Sequence, residues 1–226
     1  VSGNPASIIP DVLPLGCNQS PTPPTPYFFH ALRHVIRQSM LYFAYLYVSA
    51  LRFQRVVIMS LQVLVLYDSH GPHIVQLAKS IAEGISQVRE AQPLVRHIDE
   101  AVPEELIEAN ALILGSPNWS GISGFLKRWL DDQGDLWEDG ILQGKVGAAF
   151  TTGRGQHSGL EITLLQLLHW MLAAGMVVVG LPWNDRMRIS GSYYGATAAG
   201  EVTQDDLLQA KALGNRVAKL SLLLTP

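Results

Sequence analysis

The stretch LQVLVLYDSHGPHIVQL, residues 61–77, places the strongest constraint on the fold of this chain. Val63 to Tyr67 is a continuous apolar run rich in β-branched residues, which is typical of a strand buried on both faces of a parallel sheet. A polar turn follows, and from His73 apolar residues recur at helical spacing. A helix N-terminus attracts anions because its first backbone N–H groups are free. The segment therefore predicts a phosphate site at residues 69–74.

Further apolar runs continue this alternation of strands and helices to the end of the chain. The alternation predicts an α/β fold, a doubly wound five-stranded parallel sheet with helices on both faces. In the helix after residue 121, Phe125, Leu126, Trp129 and Leu130 are predicted to face inward. The later strands are predicted at residues 93–98, 111–114, 146–150 and 176–181, and the later helices at 103–109, 160–174 and 204–220.

Three polar, glycine-rich loops leave the carboxyl ends of the predicted strands, at residues 68–74, 115–121 and 151–159. Ligands of doubly wound folds bind at this edge of the sheet. Trp119 can stack on a flat heterocycle and Asn118 can hydrogen-bond its polar edge. Taken singly, Trp119 could equally cover the core, and His157 could be a solvated loop residue. Together the loops predict a cleft for a planar, phosphorylated ligand.

Composition excludes several classes of function. Cys17 is the only cysteine, so no disulfide framework or cysteine-based metal site is expected, and a reducing cytoplasm is the predicted location. The net charge is −3, but residues 1–58 hold four arginines against Asp11 alone. The remainder is therefore acidic, which argues against nucleic-acid binding. No metal site is predicted.

Residues 1–58 are predicted to be an N-terminal extension, partly disordered, that precedes a domain at residues 59–226. The segment PTPPTP at 21–26 lacks apolar periodicity. The apolar run 40–51 is short for a membrane span, so no stable membrane insertion is expected. The run remains open to three interpretations: a targeting segment, a structural extension, or sequence upstream of a domain starting at Met59.

Four sequence blocks carry a family resemblance: GSPNWSGISGFLKRWLDDQGDLW (115–137), GKVGAAFTTGRGQHSGLE (144–161), GMVVVGLPW (175–183) and YYGATAAG (193–200). In this order they resemble the flavodoxin-like WrbA family of FMN-dependent NAD(P)H:quinone oxidoreductases and its shorter relatives. The resemblance implies strand order 2-1-3-4-5, FMN as cofactor, NAD(P)H as electron donor and a quinone as acceptor. It also implies a homodimer or homotetramer.

The resemblance assigns candidate site residues in each loop. Trp137 and His157 match positions near the substrate pocket, and no catalytic residue is assigned with certainty. The candidate FMN-binding residues are Ser69, His70, Gly71, Pro72, His73, Ile74, Pro117, Asn118, Trp119, Gly121, Thr151, Thr152, Gly153, Arg154 and Gly155.

Departures from the family pattern keep two alternative functions open. Pro72 stands where the family usually has glycine, and Ile74 stands where the family often has threonine. One backbone N–H and one hydroxyl that could donate hydrogen bonds to the phosphate are therefore lost. Ala173 and Ala174 replace a pair of histidines, one of which faces the substrate pocket. The alternatives are a flavodoxin-like one-electron carrier with a partner protein, and a degenerate flavodoxin fold without FMN.

The predicted helix at 160–174 is apolar nearly all round. A helix lying on a sheet normally keeps one polar face toward water. We therefore expect this helix to be buried in a subunit interface, or else beneath the N-terminal extension.

Overall fold

The computed structural model of the protein describes residues 60–224 together with Met40. The predictions made for residues 1–58 concern sequence outside this described part, apart from the single residue Met40. The strands are β1 (Leu61–Tyr67), β2 (Ala91–His97), β3 (Ala111–Pro117), β4 (Val146–Gly153), β5 (Val177–Val178) and β6 (Gly195–Ala199). The helices are α1 (Pro72–Ser86), α2 (Pro103–Glu108), α3 (Gly124–Asp131), α4 (Gly134–Glu138), α5 (Leu160–Ala173) and α6 (Gln204–Leu224), with short 3-10 turns at Ile98–Glu100 and Asp185–Arg188.

The sheet is parallel and has the predicted order β2-β1-β3-β4-β5. Within β1, Val63 and Val65 face one hydrophobic core, while Leu64 and Leu66 face the other. Both faces are therefore covered, as the uninterrupted apolar run predicts. Helices α1 and α6 pack on the first face, and α3 and α5 pack on the second. The doubly wound fold with helices on both faces is confirmed.

A sixth strand is an addition to the predicted sheet. Only Val177 and Val178 form β5, beside the start of β4, whereas β6 pairs in parallel with the second half of β4. One sheet edge is thus built from two segments, and the predicted strand at 176–181 is too long. Residues 179–194 leave the sheet between them. The sequence of β6, GATAA, lacks the large β-branched residues that mark a strand.

Two of the predicted loops begin later than expected, because their first residues still belong to strands. Ser116 pairs with Thr151 and Pro117 pairs with Thr152, which extends β3 and β4 beyond the apolar runs. The prediction for Phe125 is wrong. Phe125 lies on the outer face of α3 and is 66% exposed, whereas Leu126 and Leu130 are fully buried and Trp129 packs partly against the core.

Helices α1 and α6 approach each other closely through two glycines. A Cβ atom on Gly84 would lie 2.0 Å from the carbonyl oxygen of Lys211, and one on Gly214 would lie 2.1 Å from that of Ile81. Both separations are well inside van der Waals contact. The backbones can therefore pack at this distance only because neither residue has a side chain.

The α5 helix is less completely buried within one chain than its composition suggests. Leu164, Leu167 and Met171 are buried against the sheet. Its outer face leaves Ile162, Leu165 and Leu172 between 44% and 59% exposed. Among the described residues, no helix has both the length and the apolar character needed to cross a membrane.

Candidate active site

Backbone and side-chain hydrogen bonds join the loops after β3 and β4. The Asn118 N–H donates to the Thr152 carbonyl oxygen at 2.8 Å, and the Asn118 side-chain amide donates to the Ser158 carbonyl at 2.7 Å. The Thr151 hydroxyl donates to the Ser116 carbonyl at 2.7 Å. The segment after β6 is joined to them, because the Gly200 N–H donates to the Gly153 carbonyl at 2.7 Å. These segments therefore meet at the carboxyl edge of the sheet.

A cleft of about 720 Å³ lies between these segments and the loop after β1. Its size is within the usual range for small-molecule sites, roughly 300–1,000 Å³. All three loops singled out in the sequence contribute to its walls, and a fourth segment follows β6. The lining residues are His70, His73, Pro117, Asn118, Trp119, Ser120, Thr152, Gly153, Arg154, Ser158, Gly200 and Glu201.

The N-terminus of α1 carries backbone donors at the wall of this cleft. Gly71 occupies the N-cap position, no side chain caps the helix, and Pro72 is the first helical residue. Among the described residues, a Cβ atom on Gly71 would meet nothing within 4 Å, so they leave the space beside the N-cap unfilled. Pro72 has no N–H, but the first N–H groups of a helix have no partner within the helix. The N–H groups of the next residues remain suited to a phosphate.

Charge in the cleft is mixed. Among the residues that the structure describes, Arg154 is the only arginine or lysine in its lining, beside the imidazoles of His70 and His73. Among the described residues Arg154 has no carboxylate partner, whereas His73 Nε2 lies 3.5 Å from a Glu201 oxygen that is almost fully exposed. An arginine left unpaired in an acidic domain is available to an anionic ligand. These donors, the open helix end and the cleft volume fit FMN.

A buried carboxylate lies behind the first loop. Asp68 is 3% exposed, and its Oδ2 atom has no hydrogen-bond partner among the described residues. Two imidazoles flank it, with His70 Nε2 at 3.8 Å from Oδ2 and His97 Nε2 at 3.8 Å from Oδ1. Burial, and to a lesser extent the Glu100 carboxylate, raises the pKa of the neighbouring Tyr67 hydroxyl, which keeps it protonated.

The Asn118 side chain makes two hydrogen bonds to other residues of the loops. Its amide nitrogen is donated to Ser158, and its carbonyl oxygen accepts the Gly121 N–H at 3.1 Å. Asn118 therefore links two loops at the cleft wall, and its direct contact with the edge of a heterocycle stays a prediction. Ser120, which directly follows Trp119, adopts a positive φ of 61°, a conformation uncommon outside glycine. This tight turn leaves Trp119 62% exposed beside the cleft.

Several candidate residues support the loops from behind or lie apart from the cleft lining. Thr151 and Ile74 are buried, so the Ile74 side chain belongs to the core and only its backbone can face a ligand. Trp137 lies on α4 and does not line the cleft within this chain. The other candidates that are not part of the lining are Ser69, Gly71, Pro72, Gly121, Gly155 and His157.

His157 lies instead at a second cavity of about 600 Å³. Residues of α5, the 185–188 turn and the start of α6 line this cavity. Its polar groups largely satisfy one another, because buried Asp206 accepts hydrogen bonds from Ser190 and Thr203 while Ser192 donates to Glu161. Glu161, in the first turn of α5, is thus held by a hydrogen bond within the protein.

Four residues of the described cleft lining were not among the candidate FMN-binding residues: Ser120, Ser158, Gly200 and Glu201. Ser120 and Ser158 nevertheless lie within the predicted loops 115–121 and 151–159. Gly200 and Glu201 follow β6, a strand that the apolar pattern did not reveal. Their nearest sequence signal is the block YYGATAAG, which ends at Gly200.

Comparison with known proteins agrees with this geometry. The family model described as NADPH-dependent FMN reductase matches residues 55–210. An NAD(P)H dehydrogenase (quinone) of Archaeoglobus fulgidus is 36% identical over 186 residues, which cover 71% of this chain and 97% of that protein. Its counterpart in Geotalea uraniireducens is 34% identical over 199 residues, covering 71% and 98%.

Solved structures show the same architecture. A flavodoxin, WrbA-like protein from Agrobacterium tumefaciens superposes with a TM-score of 0.60 at 25% identity, covering 74% of this chain and all of that chain. A flavodoxin from the domain Archaea has a TM-score of 0.58 at 23% identity, covering 71% and 99%, and supports the fold alone. The family match covers more than half of the chain, and the protein therefore belongs to the NADPH-dependent FMN reductase family.

Proposed function

We propose that this protein is an FMN-dependent oxidoreductase that transfers electrons from NAD(P)H to a quinone. The observation that carries the proposal is the cleft in which the loops after β1, β3 and β4 meet at the carboxyl edge of the sheet. Family membership supports FMN and NADPH as the cofactor and donor. The quinone is supported by the names of relatives that share about a third of their residues with this chain.

Each wall of the cleft has a distinct proposed task. The N-terminal backbone of α1, with His70 and His73, would hold the phosphate. Arg154 would balance part of the negative charge, and Trp119 would lie beside the planar ring. When bound, FMN supplies the chemistry of accepting and donating hydride. Pro117 and Gly153 also line the cleft, and their backbone would complete the wall around the ligand.

The exposed side of the cleft is suited to a second planar molecule. Trp119 is 62% exposed, so an apolar surface remains available to a ring from solvent. The donor and the acceptor can then use the same opening in turn. The protein residues hold and orient these molecules, and none has to change its covalent state.

The proposal predicts NAD(P)H oxidation that depends on both protein and quinone. Purified protein loaded with FMN should oxidise NADH or NADPH in the presence of benzoquinone, with parallel double-reciprocal plots because the donor leaves before the acceptor binds. The fall in absorbance of the reduced nicotinamide measures the rate, and free FMN at the same concentration is the control.

Two outcomes of that assay favour other functions. A protein that binds FMN but does not turn over with any quinone would instead be an electron carrier that needs a partner protein. A protein that does not bind FMN would be a degenerate member of the fold. Either result contradicts the proposed enzyme activity.

A homodimer or homotetramer is part of the proposal. The apolar outer face of α5, with Ile162, Leu165 and Leu172 exposed, supports burial of this helix against a second copy. Light scattering at micromolar concentration should give a multiple of the chain mass. Leu165→Glu should shift the protein toward monomer, whereas Lys219→Glu on the exposed side of α6 should not. A monomeric wild-type protein would contradict this expectation.

The remaining proposals concern location and chain organisation. We propose a cytoplasmic protein, in keeping with a sequence whose single cysteine is Cys17. We also propose that the FMN-binding domain comprises residues 59–226, with residues 1–58 as an extension.

A further inference from the structure

A slot lined by aromatic residues adjoins the cleft. It has a volume of about 520 Å³ and is lined by His70, Trp119, Ser123, Gly124, Phe125 and Arg128. His70 and Trp119 also line the FMN cleft, so the two spaces are neighbours that share a wall. We call this space the aromatic slot. A molecule that enters it comes directly beside the proposed flavin site.

Three rings define the shape of the aromatic slot. The His70 ring meets Trp119 edge-to-face, with centroids 5.6 Å apart and planes at 89°. The His70 ring also contacts Phe125, with a centroid distance of 6.0 Å and planes at 48°. Trp119 and Phe125 are 62% and 66% exposed, so their surfaces are available to a ligand. Such a surface favours a flat, apolar ring over a flexible chain.

Arg128 adds one positive charge to this aromatic surface. Within residues 60–224 the Arg128 guanidinium has no ion pair or hydrogen bond, although its neighbour Lys127 pairs with Asp131. The domain as a whole is acidic, so this guanidinium gives the lining of the slot a local positive charge. A guanidinium binds carboxylate or sulfonate with paired hydrogen bonds. The slot thus offers an aromatic surface and an anion site together.

We propose that the aromatic slot is the outer part of the electron-acceptor site and selects planar quinones that carry an acidic substituent. This inference rests on the proposed function. The quinone ring lies against Trp119 and Phe125, and Arg128 binds the acidic group. In the reaction the quinone gains two electrons and two protons and becomes the hydroquinone. NAD(P)H supplies the electrons and one proton as hydride, and solvent supplies the other proton. The acidic group is unchanged.

The test compares 1,4-naphthoquinone with 1,4-naphthoquinone-2-sulfonate as acceptors for the FMN-loaded protein. Arg128→Gln should lower kcat/KM for the sulfonate about tenfold, mainly through KM, because a hydrogen bond to a charged group is lost. The neutral quinone should be unaffected. Arg128→Lys should retain most of the preference, and Lys127→Gln, which removes one charge outside the slot, should leave both acceptors unchanged.

Binding is measured separately from turnover. Calorimetric titration of the sulfonate into the oxidised, FMN-loaded protein without NAD(P)H should show weaker binding to Arg128→Gln by a similar factor. This measurement decides the inference even if no NAD(P)H oxidation occurs, in which case the proposed function alone fails. Equal losses for both acceptors, or unchanged binding of the sulfonate, would overturn the inference. It would also be overturned if Arg128→Gln raised KM for NADPH but not NADH, because Arg128 would then bind the 2′-phosphate of the donor.

Discussion

Arg154→Glu is expected to weaken FMN binding by about 100-fold, because a favourable interaction with the phosphate is lost and a repulsion is added. In the described part of the chain, Arg154 is the only arginine or lysine that lines the cleft, and no carboxylate there forms an ion pair with it. Its removal costs a hydrogen bond to a charged group, about 1.5–3 kcal/mol. The introduced carboxylate then adds repulsion against a phosphate dianion. The quenching of FMN fluorescence on binding measures the affinity, and low ionic strength preserves the effect.

The chain offers a matched control for this charge reversal. Arg89 is exposed and lies between α1 and β2, at the amino edge of the sheet, opposite the cleft. Arg89→Glu changes the net charge by the same amount and should leave the affinity for FMN nearly unchanged. Arg154→Lys should lose far less affinity than Arg154→Glu. Equal effects of the two reversals would show that overall charge, and not the cleft, controls binding.

Gly84→Ala and Gly214→Ala are each expected to destabilise the protein by about 2 kcal/mol, although alanine is the better helix former. Helix propensity alone predicts stabilisation of up to about 1 kcal/mol. The added Cβ would however lie 2.0 Å from the Lys211 carbonyl oxygen or 2.1 Å from that of Ile81. Backbone cannot rotate away as a side chain can, so α1 and α6 must separate. The repulsion is therefore expected to outweigh the gain in propensity.

Urea unfolding followed by circular dichroism measures the free energy of unfolding of these variants and of the wild type. Gly124→Ala is the control, because a Cβ atom at this position at the start of α3 would meet nothing within 4 Å. That variant should be as stable as the wild type or more so. A higher urea midpoint for Gly214→Ala would show that the helices tolerate separation and that the close contact contributes little.

The sheet was predictable because its central strands are buried on both faces. Runs such as Val63 to Tyr67 contain no polar interruption, which few structures other than a parallel strand allow. The edge of the sheet that β5 and β6 form was not predictable in the same way. At β5 and β6 the strand is divided between two segments, and small residues such as Ala196 and Ala198 give little signal despite being buried. There, pairing with β4 determines the structure more than local propensity does.

The position of the cleft was predictable from the sequence, whereas the orientation of single side chains around it was not. Polar residues after β1, β3 and β4 must share one edge of a parallel sheet, so their convergence follows from topology. Whether a side chain faces the ligand depends on contacts between loops that sequence does not reveal. Asn118 is an example, because the sequence does not reveal that its amide also joins two loops through Ser158 and Gly121. Phe125 is another, because helical spacing allows it on either border of the apolar face.

A structure of the protein crystallised with FMN tests the central claim most directly. The account predicts one FMN in the cleft, with its phosphate at the N-terminus of α1 and its ring beside Trp119, between the loops after β3 and β4. FMN bound instead in the cavity near His157 and Asp206, or a cleft that stays empty at saturating FMN, would contradict it.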